Sequence, residues 1–205
     1  METGSPRRRE GRETQEQQIL DAAVEVFGER GYRDTSLEAI AERVGVRKPV
    51  LHTHFGSKDA LFAACLDRAN TELLEVTSTA AALGDSPESM LRLSTHAYLD
   101  HVERNVALWR LVGSEPARAA AAMEGLRTQQ TAFVASLLAE WAPQVDPYRL
   151  TGWAQVIIGA RERLAVWRGQ VGTITAAQAA DCLLDMVWTG LAALGEQRSG
   201  RTMSG

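Results

Sequence analysis

The chain has 205 residues, 45% hydrophobic and 23% charged, with a net charge of −4. These values describe an ordinary globular protein large enough for one or two domains. They exclude a membrane-embedded chain, since no apolar run approaches the ~18 residues of a spanning helix, and the start at Arg7, Arg8 and Arg9 continues into polar residues, unlike a secretory signal.

The expected location is therefore the cytoplasm. Cys65 and Cys182 lie in apolar helical patterns without metal-ligand spacing and read as small core residues. An acidic total does not exclude a nucleic-acid partner, because local placement of cations matters: Arg7, Arg8, Arg9 and Arg12 cluster near the start, and the only two lysines are Lys48 and Lys58.

Residues 1–12 carry Gly, Ser, Pro and arginines with no apolar period and read as a disordered basic arm. Helix 1 is predicted from a Thr14 cap with Gln17, through Ile19, Leu20, Ala23, Val26 and Phe27, to a stop at Gly31. Thr35 with Glu38 forms a second capping box. Leu37, Ile40, Ala41 and Val44 then give one apolar face of a short helix ended by Gly45.

Another short helix follows with Pro49 in its first turn. Leu51 and Phe55 face inward, leaving Arg47, Lys48, Val50, His52, Thr53 and His54 outward. Two short helices joined by a tight Gly turn, the second with a cationic and hydrogen-bonding outer face, describe a helix-turn-helix.

Helix 4 starts at Ser57, with Leu61, Phe62, Cys65, Leu66, Ala69 and Leu73 on one side. After a break at Gly84 and Asp85, Ser86 and Pro87 open a long helix 5 reaching Gly113. A short helix 6 runs from Glu115 or Pro116 to about Met123, and helix 7 from about Glu124 to Trp141, closed by Pro143. Helix 8 follows Asp146 and Pro147, and helix 9 follows a Thr175–Gln178 cap. No strand signal appears, so the fold class is all-α with about nine helices.

The residues from Ser36 to Phe62 resemble the TetR family of transcriptional regulators, in the segment AIAERVGV, then Leu51, Phe55, Ser57, Lys58, Leu61 and Phe62. The resemblance covers roughly residues 14–66. It implies a DNA-binding domain at residues 1–56 and a helical regulatory, ligand-binding and dimerisation domain at 57–205, with 197–205 a flexible tail. Double-stranded DNA is then the expected partner of Thr35, Ser36, Arg47, Lys48, Val50, His52, Thr53, His54 and Lys58. Arg47, Pro49 and His52 depart from the family's small polar residue, Gly or Ala, and Tyr.

In helices 8 and 9 a second apolar or small-residue flank exceeds what one core face needs. The resemblance implies that these helices form a four-helix homodimer bundle, with Trp153, Ile157, Leu164, Ala180, Leu184, Val187 and Leu191 expected in its seam. A small-molecule effector is expected against Thr95, His101, Asn105, Trp109, Met123, Phe133, Trp153 and Gln155, with Arg161 beside them.

No catalytic motif, metal-ligand spacing or cofactor fingerprint emerges: His52 and His54 splay apart on a helix, and His96 and His101 are five residues apart. The function expected is a ligand-responsive repressor. The rival reading is a helical small-molecule-binding protein or hydrolase that does not act on DNA.

Overall fold

The structure is a computed structural model that describes residues 6–199, with side chains described from 11 to 190. The described residues form α1 (Pro6–Asp34), α2 (Leu37–Val44), α3 (Lys48–Phe55), α4 (Lys58–Ala81), α5 (Pro87–Arg104), α6 (Val106–Ser114), α7 (Pro116–Trp141), α8 (Pro147–Val171) and α9 (Ala176–Ser199), with no strand among them. They divide into two compact units, one of residues up to 70 with 105–123, the other of 71–104 with residues from 124 onward.

The first unit is built around the apolar stripe of α1. Ile19, Ala23, Val26 and Phe27 meet Ile40, Leu51, Leu61, Phe62 and Leu108, all at most 3% exposed. Phe27, Tyr32 and Phe62 pack ring to ring at centroid distances of 5.3–5.7 Å. α6 lies close along α1, where a Cβ on Gly28 would come within 2.9 Å of the Ala107 Cβ. This packing unit thus extends beyond the expected 1–56.

In the second unit Leu91, Val134, Leu138, Leu150, Ala154, Ile157, Ile158, Leu183 and Leu184 form the core. Trp141 and Trp188 pack against it, 5.1 Å apart. Two helix starts follow the expected chemistry. Thr175 and Gln178 exchange hydrogen bonds reciprocally, at 2.9 and 3.1 Å, and Ser86 Oγ accepts from Ser89 N at 3.2 Å. Asp146 holds the cap position of α8 but makes no side-chain cap bond.

Five sequence expectations are corrected. α1 begins at Pro6, not Thr14, so residues 6–12 of the expected disordered arm are helical; residues 1–5 lie outside the described residues. The sequence of this turn has no apolar period to read, yet Arg9 with Glu13 and Arg12 with Glu16 supply helix formers at i,i+4. The expected helix 5 is broken at Asn105 (φ −108°, ψ 30°).

Helices 6 and 7, in contrast, are one continuous α7, which carries Gly125 in its interior at the usual cost of about 1 kcal/mol. The expected 197–205 tail begins inside α9, which continues to Ser199; residues 200–205 lie outside the described residues. Cys65 is buried as expected, but Cys182 is exposed.

No helix among the described residues is long and apolar enough to cross a membrane. No group of three or more His, Cys, Asp or Glu side chains among them is arranged to hold a metal ion.

Candidate nucleic-acid interface

A sharp turn sets α3 against α2. Gly45 adopts φ 78°, ψ 28°, a left-handed conformation that a residue with a Cβ takes at a cost. Its N–H donates to Glu42 O, and Val46 N–H to Ala41 O, so the last carbonyls of α2 are satisfied as the chain reverses. Leu51, 1% exposed, seats α3 on the core.

The opposite side of α3 presents Arg47, Lys48, His52 and Thr53 as exposed residues, with Val50 half-buried between them. Lys48 pairs with Glu38 while both remain about half exposed. Thr53 Oγ1 donates back to Pro49 O at 2.8 Å. A short helix with cations and an imidazole exposed to solvent has the reach and donors to read base edges in a major groove.

Three expected contact residues are occupied otherwise. Thr35 is 2% exposed, and its hydroxyl is committed to Gly31 O at 2.7 Å, with Val26 O at 3.3 Å. The cap of α2 is Ser36 instead, whose Oγ accepts from Ala39 N at 3.2 Å, so the capping residue lies one position later than expected. His54 does not point outward. Its side chain is 7% exposed and turned onto α1, with Nε2 3.3 Å from Gln15 Oε1 and Nδ1 4.0 Å from Glu16.

Lys58 is the third. Its ammonium donates to Tyr32 O and Thr35 O at 2.8 Å each, reaches Arg33 O at 3.4 Å, and stands 4.4 Å from the Tyr32 ring centroid. A cation at a helix C-terminus satisfies orphan carbonyls and complements the helix dipole. It staples the junction of α1 and α2. Tyr32 donates its hydroxyl to Asp59 at 2.6 Å, and burial, reinforced by that carboxylate, pushes its pKa up to about 12.

Lys58→Met is therefore expected to destabilise the first unit by about 1.5–3 kcal/mol, the range for hydrogen bonds to a charged group. The slope of DNA affinity against salt should stay as in the parent chain. A slope reduced by about one, with unchanged melting temperature, would restore Lys58 as a phosphate contact.

The expected effector residues do not gather in one unit. Asn105, Trp109 and Met123 belong to the first, where Trp109 Nε1 is buried without a hydrogen-bond partner. Thr95, His101, Phe133, Trp153 and Gln155 belong to the second. There, Thr95 and His101 are buried, Phe133 and Trp153 half-buried and Gln155 exposed. Burial, with a smaller effect of Arg104, lowers the His101 pKa.

Of the expected seam residues, Ile157, Ala180 and Leu184 are at most 1% exposed, and Ile157 and Leu184 belong to the chain's own core. Trp153, Leu164 and Val187 are half-buried against it, and the Leu191 side chain lies outside the described residues. Other large apolar residues of α8 and α9 are exposed, among them Tyr148 (75%), Val156 (63%), Val166 (51%) and Met186 (70%).

Residues 19–65 match the family described as bacterial regulatory proteins, tetR family. The chain is 38% identical over 95 residues to the HTH-type transcriptional activator FasR of Mycolicibacterium smegmatis, covering 46% of this chain and 43% of FasR. It is 41% identical over 71 residues to the HTH-type transcriptional repressor Rv3405c of Mycobacterium tuberculosis, covering 35% of this chain and 38% of that protein. These alignments thus span less than half of either curated relative.

A solved TetR-like transcriptional regulator from Rhodococcus sp. RHA1 is similar along most of its length: 34% identity, a TM-score of 0.69, and coverage of 87% of this chain and 96% of that one. With its helix-turn-helix and its all-helical second unit, the chain belongs to the TetR family of transcriptional regulators.

Proposed function

We propose that the protein is a homodimeric repressor that grips a near-palindromic operator with one α3 per subunit and releases it when a small, mostly apolar organic effector binds the second unit. The observation that carries this reading is the division of α3 between a buried anchor, Leu51, and an exposed face of Arg47, Lys48, His52 and Thr53. The DNA-binding function is assigned to residues 1–56, with Ser36 at the start of α2 offering its backbone N–H region to a phosphate. Residues 57–205 are assigned to regulation and dimerisation.

Support for the homodimer comes from the uncovered face of α8 and α9. Val156 and Val166 are exposed beside Gly152 and Gly159, which leave room for a second backbone, and Met186 is exposed on α9. Such apolar surface favours burial, and a two-fold axis would bring the same patch of each subunit together. The repressor named Rv3405c supports the negative sign of control, whereas FasR is named an activator.

The effector must bind the DNA-free dimer more tightly than the DNA-bound one, and DNA must then weaken the effector by the same factor. Fluorescence anisotropy with duplex DNA from the promoter beside its own gene tests the reading. Sequence-specific binding by a dimer is expected, steeply weakened by salt. Equal affinity for promoter and random duplexes would reject it.

Arg47→Ala separates base reading from general attraction. It is expected to cost about 1–3 kcal/mol on the preferred operator and to relax preference at one base pair, with little change on random DNA. Equal losses on both duplexes would remove Arg47 from base readout.

A further inference from the structure

Arg161 is 1% exposed in the middle of α8, within the second unit. Its Nε–H donates to Thr95 Oγ1 at 2.9 Å, and Nη2 donates to Ser94 Oγ at 2.7 Å and more weakly to Leu91 O at 3.5 Å. All three acceptors are neutral. Ser94 and Thr95 are themselves fully buried and spend their own hydroxyl protons on Leu91 O.

No acidic side chain among the described residues pairs with Arg161. Glu162, the next residue in the chain, is engaged with Arg127 at 2.8 Å. A buried charge without a counter-charge costs several kcal/mol, and an apolar side chain of similar volume would remove that cost. Burial accordingly lowers the Arg161 pKa, to about 10, which still leaves it a cation at neutral pH.

A second observation lies on α7. Gln130 and Thr131 are 3% and 5% exposed, and Gln130 Nε2 and Thr131 Oγ1 have no hydrogen-bond partner. They follow Arg127 by three and four residues, on the face of α7 that the Arg127–Glu162 pair ties to α8 one residue from Arg161. Buried polar atoms in native structures are almost always satisfied. The unmet groups are an amide donor and a hydroxyl able to donate, on the helix that the Arg127–Glu162 pair ties to α8.

We propose that this buried cluster is the polar end of the effector site, and that it takes the carboxylate of an apolar organic acid. A carboxylate supplies acceptors to donors of this kind, and its charge makes a hydrogen bond from a guanidinium of the stronger, charge-assisted sort. One cation neutralises one negative charge. A phosphate dianion would leave an excess charge buried among Leu91, Ile157 and Ile158, which excludes it on the same desolvation grounds. The inference rests on the effector reading above and sharpens its chemistry from an apolar molecule to an apolar anion.

The test titrates the full chain at neutral pH with octanoate and octanamide, and with benzoate and benzamide, by calorimetry. Each carboxylate is expected to bind about tenfold or more tighter than its amide, roughly the worth of one charge-assisted contact. In Arg161→Met the preference disappears while amide binding persists. Arg161→Gln is the second variant, keeping hydrogen bonds for Ser94 and Thr95 without the charge, should the methionine not fold.

Equal binding of acid and amide by the parent chain, no binding of either acid at millimolar concentration, or a preference surviving in both variants would overturn the site. Operator anisotropy is followed in parallel. Arg161-dependent binding of acids that leaves operator affinity unchanged upholds the site and rejects the effector reading. Release of the operator by amide and acid alike does the reverse.

Discussion

Leu184→Glu is expected to abolish cooperative folding of the second unit, whereas Met186→Glu, two residues along α9, is expected to leave it folded and to separate the subunits. Leu184 is 1% exposed in the cluster with Leu150, Ile157, Ile158 and Leu183. An unpaired carboxylate there costs several kcal/mol in addition to the lost apolar contact, a large share of the ~5–15 kcal/mol by which a domain is stable. Met186 is 70% exposed, so the same substitution costs the isolated chain little.

In the proposed dimer, however, Met186→Glu would place two like charges across a two-fold interface, and the operator affinity that depends on two linked recognition helices should fall at least about a hundredfold. Circular dichroism melting, light scattering and anisotropy together read the outcome. A cooperative melt for Leu184→Glu would show that the side chain escapes the core, and an intact dimer for Met186→Glu would place the interface elsewhere.

Leu51→Ala is expected to cost about 2–5 kcal/mol, the range for emptying a buried leucine site, and to weaken operator binding by a comparable factor, up to about a thousandfold. At eight residues α3 is too short to hold itself helical in water, and its order comes from packing. Leu51 is its one fully buried residue. Removing that anchor loosens the helix bearing Arg47 and His52 without touching either side chain.

Hydrogen exchange should show α3 amides exchanging faster while those of α8 keep their protection. Unchanged α3 protection, with full operator affinity, would mean that Val50, Phe55 and the Gly45 turn suffice to hold the helix.

The recognition motif was legible because its signals are local. The 3.6-residue spacing of Leu37, Ile40, Ala41 and Val44, the left-handed Gly45, and Pro49 in the first turn of α3 act over a few residues, and the structure reproduces them. The Thr175–Gln178 and Ser86–Ser89 caps are similarly local. The start of α1 was not legible, because a polar turn held by helix propensity carries no apolar period.

The intrachain partners of Lys58 and His54 were not legible for a different reason. Their partners lie 23–26 and 38–39 residues away in sequence, on the α1–α2 junction and on α1, and exposure inferred from a helical wheel cannot see a neighbour that distant.

By itself the sequence determined the all-helical class, the helix-turn-helix and the family, since periodicity, capping and turn residues are written in adjacent positions. Only the tertiary structure decided which flank of α8 and α9 meets the chain's own core, leaving Val156, Val166 and Met186 uncovered while Ile157 and Leu184 are buried. It alone also enclosed Arg161 among neutral acceptors more than sixty residues away. An amphipathic helix with two apolar flanks has two nearly equivalent ways to face inward, and the choice is made by the neighbours that fill the space against it, which no local pattern records.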